Sequence, residues 1–172
     1  IFPVLSPQII DRRHPFPFLR GGESYVGAML HEKEGAAASF GLVPLTSQFQ
    51  EVVFIPGEKG GVEFALTDEM VLHFAELVFG KARVSARCVF RVTRNADITA
   101  DEGMFDHDVD YREIMSELLK KRRKLAAVRL QVTAKAPQEI VSYLREKLLL
   151  PEKQVFFQTA PLGLSVAFKL SA

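Results

Sequence analysis

The residues whose types best suit chemistry lie at the end of a long apolar run at 84–93. Arg91 and Arg94 are at or near the end of that run, and Asn95 follows them. The planar guanidinium of arginine suits bidentate binding of phosphate, and asparagine is common in turns. Carboxylates satisfy the same guanidinium group, so a salt bridge to the acidic segment 97–110 or to a neighbouring domain is the alternative, and the one we favour.

A second group of cations lies at 120–124. Ammonium and guanidinium groups in one place attract polyanions such as phosphate chains. The same cations also stabilise the negative end of the helix predicted just before them, and we favour this explanation. Polyanion binding by Arg91, Arg94 and Asn95 together with this run remains open. The run consists of Lys120, Lys121, Arg122, Arg123 and Lys124.

Two other patterns imitate known sites but lack a required residue. The acidic residues 106–117 approach the spacing of an EF-hand calcium loop, yet Tyr111 stands where that loop needs glycine. The residues concerned are Asp106, Asp108, Asp110 and Glu117. The glycine-rich segment 57–61 lacks the Gly-Lys-Ser/Thr ending of a phosphate-binding loop, so it predicts a turn.

The histidines and the single cysteine predict no metal or catalytic site. The histidines have no pairwise ligand spacing and no cysteine cluster beside them, and no nucleophile or orienting carboxylate is identifiable around any of them. Cys88 lies in the apolar run and has no partner for an internal disulfide, which favours a reducing cytoplasm. We therefore predict no metal ligand and no catalytic residue. The histidines are His14, His31, His73 and His107.

Composition predicts one soluble domain over residues 1–172. The chain is 48% hydrophobic and 25% charged, enough to build a core. A net charge of +1 gives no overall attraction to nucleic acid or to an anionic membrane. No apolar stretch approaches the roughly 20 residues of a membrane span. Because the chain begins at Ile1 without methionine, we expect it to be a piece of a longer polypeptide.

The first half of the chain predicts an extended segment followed by strands. Residues 1–22 are rich in proline, which disfavours helix, so they should be extended. Runs at 25–31, 38–45 and 51–55 are short and apolar, and turn residues separate them. They predict antiparallel strands or hairpins, with a loop at 46–50.

The second half predicts helices alternating with strands. Thr67 should cap a helix at 67–79 that ends at Gly80, and another helix should begin at Pro137. The fold class is α+β, a mixed and largely antiparallel sheet with about three helices packed on one face. The remaining expected segments are a strand at 84–93, an acidic loop at 97–110, a helix near 114–119, strands at 127–133 and 155–158, and an element of open type at 161–170.

Three composite motifs resemble the middle, or head, domain of bacterial polyphosphate kinase. Residues 1–7 read Ile-Phe-Pro-Val-Leu-Ser-Pro, with Ser6 where that family usually has threonine. Residues 14–18 read His-Pro-Phe-Pro-Phe, and residues 90–97 read Phe-Arg-Val-Thr-Arg-Asn-Ala-Asp. The resemblance covers nearly the whole chain, down to Pro-Leu-Gly-Leu at 161–164.

The resemblance implies an enzyme that reversibly transfers the terminal phosphate of ATP to polyphosphate, with magnesium and a phosphohistidine intermediate. In such enzymes the catalytic histidine and most nucleotide and metal ligands belong to other domains, and none of the four histidines here matches it. The middle domain is associated with dimer formation and with the walls of the active-site tunnel. We therefore expect a structural and dimerisation module, inactive alone, with no bound ATP or magnesium of its own.

The partners implied are the other domains of the parent chain and a second copy in a homodimer or higher oligomer, with polyphosphate as a further candidate. A bacterial cytoplasm is implied, and a loose membrane association of the parent enzyme stays open. A polyphosphate-binding module is the alternative function. An independent hydrolase or phosphatase is the least favoured. Phosphoryl transfer needs an activated nucleophile and a stabilised transferring group, and this sequence offers at most cations.

Overall fold

The structure, a computed structural model, describes residues 4–31, 38–46, 48–57, 61–80, 82–95 and 126–170. Within these residues the chain forms eight strands and four α-helices. The strands are β1 (Gln8–Ile10), β2 (Ser24–His31), β3 (Ser39–Leu45), β4 (Val52–Pro56), β5 (Val62–Leu66), β6 (Arg83–Arg94), β7 (Ala127–Thr133) and β8 (Val155–Gln158). The helices are α1 (Thr67–His73), α2 (Ala75–Phe79), α3 (Gln138–Leu148) and α4 (Val166–Leu170). The predicted α+β class is confirmed.

Six strands form one mixed sheet in the order β1-β3-β2-β6-β7-β8. Neighbours are antiparallel except β7 and β8, which are parallel. Parallel neighbours need a crossover connection, and α3 supplies it between β7 and β8. The sheet is largely antiparallel, as predicted. Its longest strand is β6, with 12 residues, and β6 carries Arg91 and Arg94.

Helices cover both faces of this sheet. Phe90 of β6 packs with Leu144 of α3 in one buried cluster. Val89, the preceding residue, packs with Val71 of α1 and Phe79 of α2 in a second cluster. Successive residues of a strand point to opposite faces, so the clusters define an α3 face and an α1 face. The prediction of helices on one face was wrong. Consecutive apolar residues in β6 point to both faces of the sheet, so each face has to pack against helices to bury them.

A separate two-stranded sheet joins β4 and β5. The Gly57 N–H donates to the carbonyl oxygen of Gly61 at 2.8 Å, in agreement with the turn predicted there. Phe54 and Phe64 are directly paired and are 55% and 52% exposed. The sequence predicted β4 but not its partner β5. β5 was missed because it is short and runs directly into a helix.

The helix predicted at 67–79 is divided into α1 and α2 by one residue. The prediction that Thr67 caps it was wrong. Thr67 is the first residue of α1, and Leu66 takes the N-cap position without a side-chain cap bond. Thr67 is buried, so its hydroxyl needs an interior acceptor and donates to the carbonyl oxygen of Gln50. The predicted end at Gly80 is confirmed, with φ of 63°.

The helix predicted to start at Pro137 is confirmed as α3, with Pro137 at its N-cap. It ends at Leu148, and its C-cap Leu149 is a non-glycine residue in the left-handed region with φ of 55°. The predicted apolar stripe packs on the sheet. Its buried residues are Ile140, Val141, Leu144 and Leu148.

The other strand predictions are confirmed to within about two residues, and the open element at 161–170 contains α4. Among residues 4–22, β1 is the one strand or α-helix. The acidic loop at 97–110, the helix near 114–119 and the basic run 120–124 lie outside the described residues. No helix in the described part of the chain is long and apolar enough to cross a bilayer.

Candidate functional site

Arg91 and Arg94 leave β6 on opposite faces of the sheet. The Arg91 side chain reaches the carbonyl oxygen of Leu162, which belongs to the buried cluster of the α1 face. Arg94 reaches the carbonyl oxygen of Leu19, which belongs to the cluster of the α3 face. Residues three apart on a strand point to opposite faces of the sheet, so the separation of the two side chains follows from their positions on β6. The two arginines do not converge on one ligand.

Arg91 fastens the C-terminal part of the described chain to the sheet. Its Nη1 donates to the Leu162 carbonyl oxygen at 3.1 Å, and Leu162 is 4% exposed. The Gly22 N–H donates to the carbonyl oxygen of Val92 at 2.9 Å, so the backbone around Gly22 lies beside this arginine. Arg91 is therefore held between two loops and β6.

Glu51 is the anionic centre beside Arg91. Its carboxylate accepts a hydrogen bond from the Ser165 hydroxyl at 2.7 Å and lies 3.4 Å from Nζ of Lys169. The Ser165 hydrogen bond, the Lys169 interactions and the charge of Arg91 lower the pKa of Glu51. The carboxylate therefore holds α4 and the residues before it against the start of β4. This arrangement is a structural ion-pair cluster.

Arg94 fastens the N-terminal segment in a similar way. Its Nε donates to the Leu19 carbonyl oxygen at 2.5 Å, and its guanidinium lies 4.0 Å from the centre of the Phe18 ring. Cation–π contacts of this kind favour arginine over lysine. Asn95 is exposed, and its N–H donates to the Ala126 carbonyl oxygen at 3.1 Å. Asn95 thus extends the pairing of β6 towards β7.

A cavity of about 280 Å³ lies beside the Glu51 cluster. Its charged lining residues are Glu23, Glu51, Asp68 and Lys169, so carboxylates outnumber cations. Burial raises the pKa of Asp68, since the charged carboxylate is poorly solvated there. A cavity with this charge disfavours a polyanion. Its apolar wall is formed by Leu45, Phe49, Leu66 and Val166.

Each described histidine contacts a different polar residue. His14 Nδ1 lies 2.9 Å from Asp11 Oδ1, and His31 Nε2 lies 3.1 Å from the Ser85 hydroxyl. His73 is exposed, and its carbonyl oxygen accepts from Arg87. Within the described residues no three His, Cys, Asp or Glu side chains are grouped to hold a metal ion. His107 and the run 120–124 lie outside those residues.

Arg129 is a candidate that the sequence analysis missed. Its guanidinium lies 4.4 Å from the centre of the Phe156 ring. A signal was present in the sequence, because the strands β6, β7 and β8 contain no aspartate or glutamate. Arg129 was overlooked because it stands alone in an apolar strand, without a neighbouring cation.

Together the fold and these contacts define an α+β module in which the two candidate arginines of β6 bind main-chain carbonyls. A sequence model of the polyphosphate kinase middle domain matches residues 1–170. The chain belongs to the polyphosphate kinase family and carries its middle domain.

Relatives named polyphosphate kinase agree with this assignment. The protein from Bacillus anthracis is 32% identical over 175 residues, which cover 99% of this chain and 24% of that protein. The protein from Parasynechococcus marenigrum is 32% identical over 183 residues, covering 100% of this chain and 25% of that protein. The chain thus spans about a quarter of the length of these relatives.

The crystal structure of a polyphosphate kinase from Porphyromonas gingivalis has the same fold. It superposes with a TM-score of 0.68 at 18% sequence identity. The match covers 94% of this chain and 22% of that chain. At this identity the likeness speaks for the architecture alone.

Proposed function

We propose that this chain serves as the middle domain of an enzyme that reversibly transfers the terminal phosphate of ATP to polyphosphate. Within that enzyme it is a structural and dimerisation module that lines the active-site tunnel, and it is inactive alone. ATP, magnesium and the phosphohistidine intermediate belong to other parts of the parent enzyme. Family membership supports the reaction class, since the relatives bear the name polyphosphate kinase.

The observation that carries the structural role is the use of Arg91 and Arg94. Each donates to a main-chain carbonyl oxygen, one near the C-terminal end of the described chain and one in the N-terminal segment. Because these contacts lie on opposite faces of β6, they hold both flanking segments to the central strand. Such use of two arginines suits a module that transmits a fixed geometry to its neighbours.

The chemistry of the described residues supports the same division of work. Phosphoryl transfer relies on a positioned nucleophile and on cations or metal ions that stabilise the transferring group. In the described residues the charged side chains of the cavity wall are mostly carboxylates, and His14 and His31 contact Asp11 and Ser85 respectively. Among the described residues no three His, Cys, Asp or Glu side chains are grouped closely enough to hold a metal ion. The proposal places the ligands for magnesium in other domains of the parent enzyme.

A chimeric enzyme tests this proposal. Residues 1–170 would replace the matching segment of the Bacillus anthracis relative, and polyphosphate synthesis from ATP and magnesium would be measured. We expect synthesis by the chimera and none by the 172-residue chain alone. A chimera that folds but makes no polyphosphate contradicts the proposed role. Robust synthesis by the chain alone contradicts the placement of the chemistry in other domains.

Polyphosphate binding through Arg91, Arg94 and the run 120–124 stays the alternative. It is tested by titrating the chain with long-chain polyphosphate at low and moderate salt, with both arginines changed to alanine in a second protein. Salt screens a diffuse charge effect more strongly than a formed site. Binding that survives moderate salt and disappears in the variant would favour this alternative.

A further inference from the structure

The half of the α1 face that lies on β6, β7 and β8 carries polar side chains. The register pairs Thr93 with Arg129, Arg91 with Gln131, and Gln131 with Phe156, so all of these side chains share one face. Thr93 is exposed and Phe156 is 42% exposed. We call this surface the open face. It consists of Thr93, Arg129, Gln131, Thr133, Phe156 and Gln158, with Arg91 at its border.

The strands that form the open face supply cationic and polar side chains and no carboxylates. β6, β7 and β8 contain no aspartate or glutamate. Its hydroxyl and amide groups from threonine and glutamine can donate to oxygen anions. The groups that the strands present are therefore donors and cations, which match a ligand made of phosphate oxygens.

The charge of Arg129 is uncompensated in the described part of the chain. None of the ion pairs found there includes this guanidinium, and its buried Nε has no hydrogen-bond partner. Arg145 also has a partnerless Nε, yet its Nη1 lies 3.8 Å from Glu152. A partly buried charge without a counterion is costly, so an anion on the open face would stabilise Arg129.

The strand register places Arg129 close to Arg91 on the same face of the sheet. Arg91 is paired with Gln131, so Arg129 is its diagonal neighbour across the two strands. Diagonal positions on neighbouring strands are roughly 7–8 Å apart, so a phosphate chain that lies along the open face can contact both long side chains. Thr93 lies directly opposite Arg129 in the same register and adds a hydroxyl donor next to it.

We propose that the open face binds a segment of a condensed phosphate chain, with Arg129 as its main anchor. The identity of the polymer rests on the proposed function. A nucleic acid fits less well, because single strands are held by stacking bases on free aromatic rings. Phe156 is the aromatic residue on the open face, and Arg129 already lies over its ring.

A titration of the 172-residue chain with long-chain polyphosphate at moderate salt tests the site. Arg129→Gln is expected to weaken binding about tenfold and to reduce the salt dependence by about one counterion. Arg145→Gln is the matched control, since Arg145 is a half-buried arginine on α3, which packs on the opposite face. The affinity of the Arg145→Gln variant for polyphosphate should stay within about twofold of that of the unchanged chain. Equal weakening by both variants would overturn the site.

A measurement on the unchanged chain keeps the test valid if Arg129→Gln fails to fold. Backbone amide resonances would be followed during addition of polyphosphate, and the largest shifts are expected at 91–93, 129–133 and 156–158. Shifts confined to other regions, including 120–124, would overturn the proposal. Tighter binding of a single-stranded RNA of equal charge would overturn the assignment to condensed phosphate.

The outcomes separate this site from the proposed function. An active chimera together with no polyphosphate binding by the chain would overturn the open-face site and leave the proposed function standing. An inactive chimera together with binding that Arg129→Gln weakens would overturn the proposed function and leave the site standing.

Discussion

Nη1 of Arg91 donates to the carbonyl oxygen of Leu162 at 3.1 Å, across 71 positions of sequence. The bond joins the middle of the sheet to the segment that leads into α4. Leu162 is buried on the α1 face, so its position depends on this contact and on its packing. We therefore expect a change at Arg91 to affect the C-terminal part of the described chain.

Arg91→Gln should loosen the segment 161–170 without unfolding the sheet. The loss of a hydrogen bond donated by a charged group should cost about 1–2 kcal/mol. Hydrogen exchange of the amides of Ala167 and Phe168, which bond to Leu164 and Ser165, should become faster. Arg12→Gln, at an exposed arginine, is the control. Unchanged exchange in 161–170 would contradict the prediction.

Acid should weaken the attachment of α4 through Glu51. The folded state lowers the pKa of this carboxyl below its ordinary value of 4.5. Its stabilising contribution is therefore complete above 4.5 and is lost as the pH falls through the lowered pKa. Thermal unfolding from about pH 5 to about pH 3 should show a smaller pH dependence in Glu51→Gln than in the unchanged chain. Identical curves would argue against this role.

Gly41 is expected to tolerate no side chain. A Cβ at this position would lie 2.6 Å from ring atoms of Phe79 and 2.9 Å from Cδ1 of Leu30. Both residues are buried, so Gly41→Ala should lose about 1–3 kcal/mol of unfolding free energy through overpacking. Gly61→Ala is the matched control, because nothing lies within 4 Å of its added Cβ. Denaturant unfolding of the two variants measures the difference, and equal stability would contradict it.

The thiol of Cys88 should be unreactive in the folded chain. Burial raises its pKa to about 12, so almost no thiolate exists near neutral pH. Iodoacetamide should label the cysteine slowly in the folded chain and rapidly in denaturant. Mass spectrometry follows the reaction. Rapid labelling without unfolding would show that the β6 region opens more easily than its packing indicates.

Regular elements could be predicted because their patterns are local. The strand at 127–133 and the stripe of α3 follow from apolar spacing alone. The partner of a strand is a distant relationship, so the pairing of β4 with β5 and the cover on both faces were not predictable in this way. The prediction that Thr67 caps α1 was wrong for a similar reason. The Thr67 hydroxyl donates to the carbonyl oxygen of Gln50, a residue from another segment.

The candidate site shows the same division between local and distant information. Arg91 and Arg94 were chosen for their chemistry, but their side chains point to opposite faces of β6 and contact different clusters. Arg129 was missed because its significance depends on β6 and β8, which lie beside it only in the folded sheet. The absence of acidic residues from all three strands is a feature of the sequence alone, and it could have indicated a basic surface.

The two outer strands of the large sheet are its shortest. β1 has three residues and β8 has four, whereas β2 and β6 in the interior have 8 and 12. Short outer strands expose few unpaired backbone groups, which gives another polypeptide little template for continuing the sheet and protects against aggregation. Copies of this domain that associate should therefore meet through side chains, and lengthening either outer strand by design would make the chain prone to fibril formation.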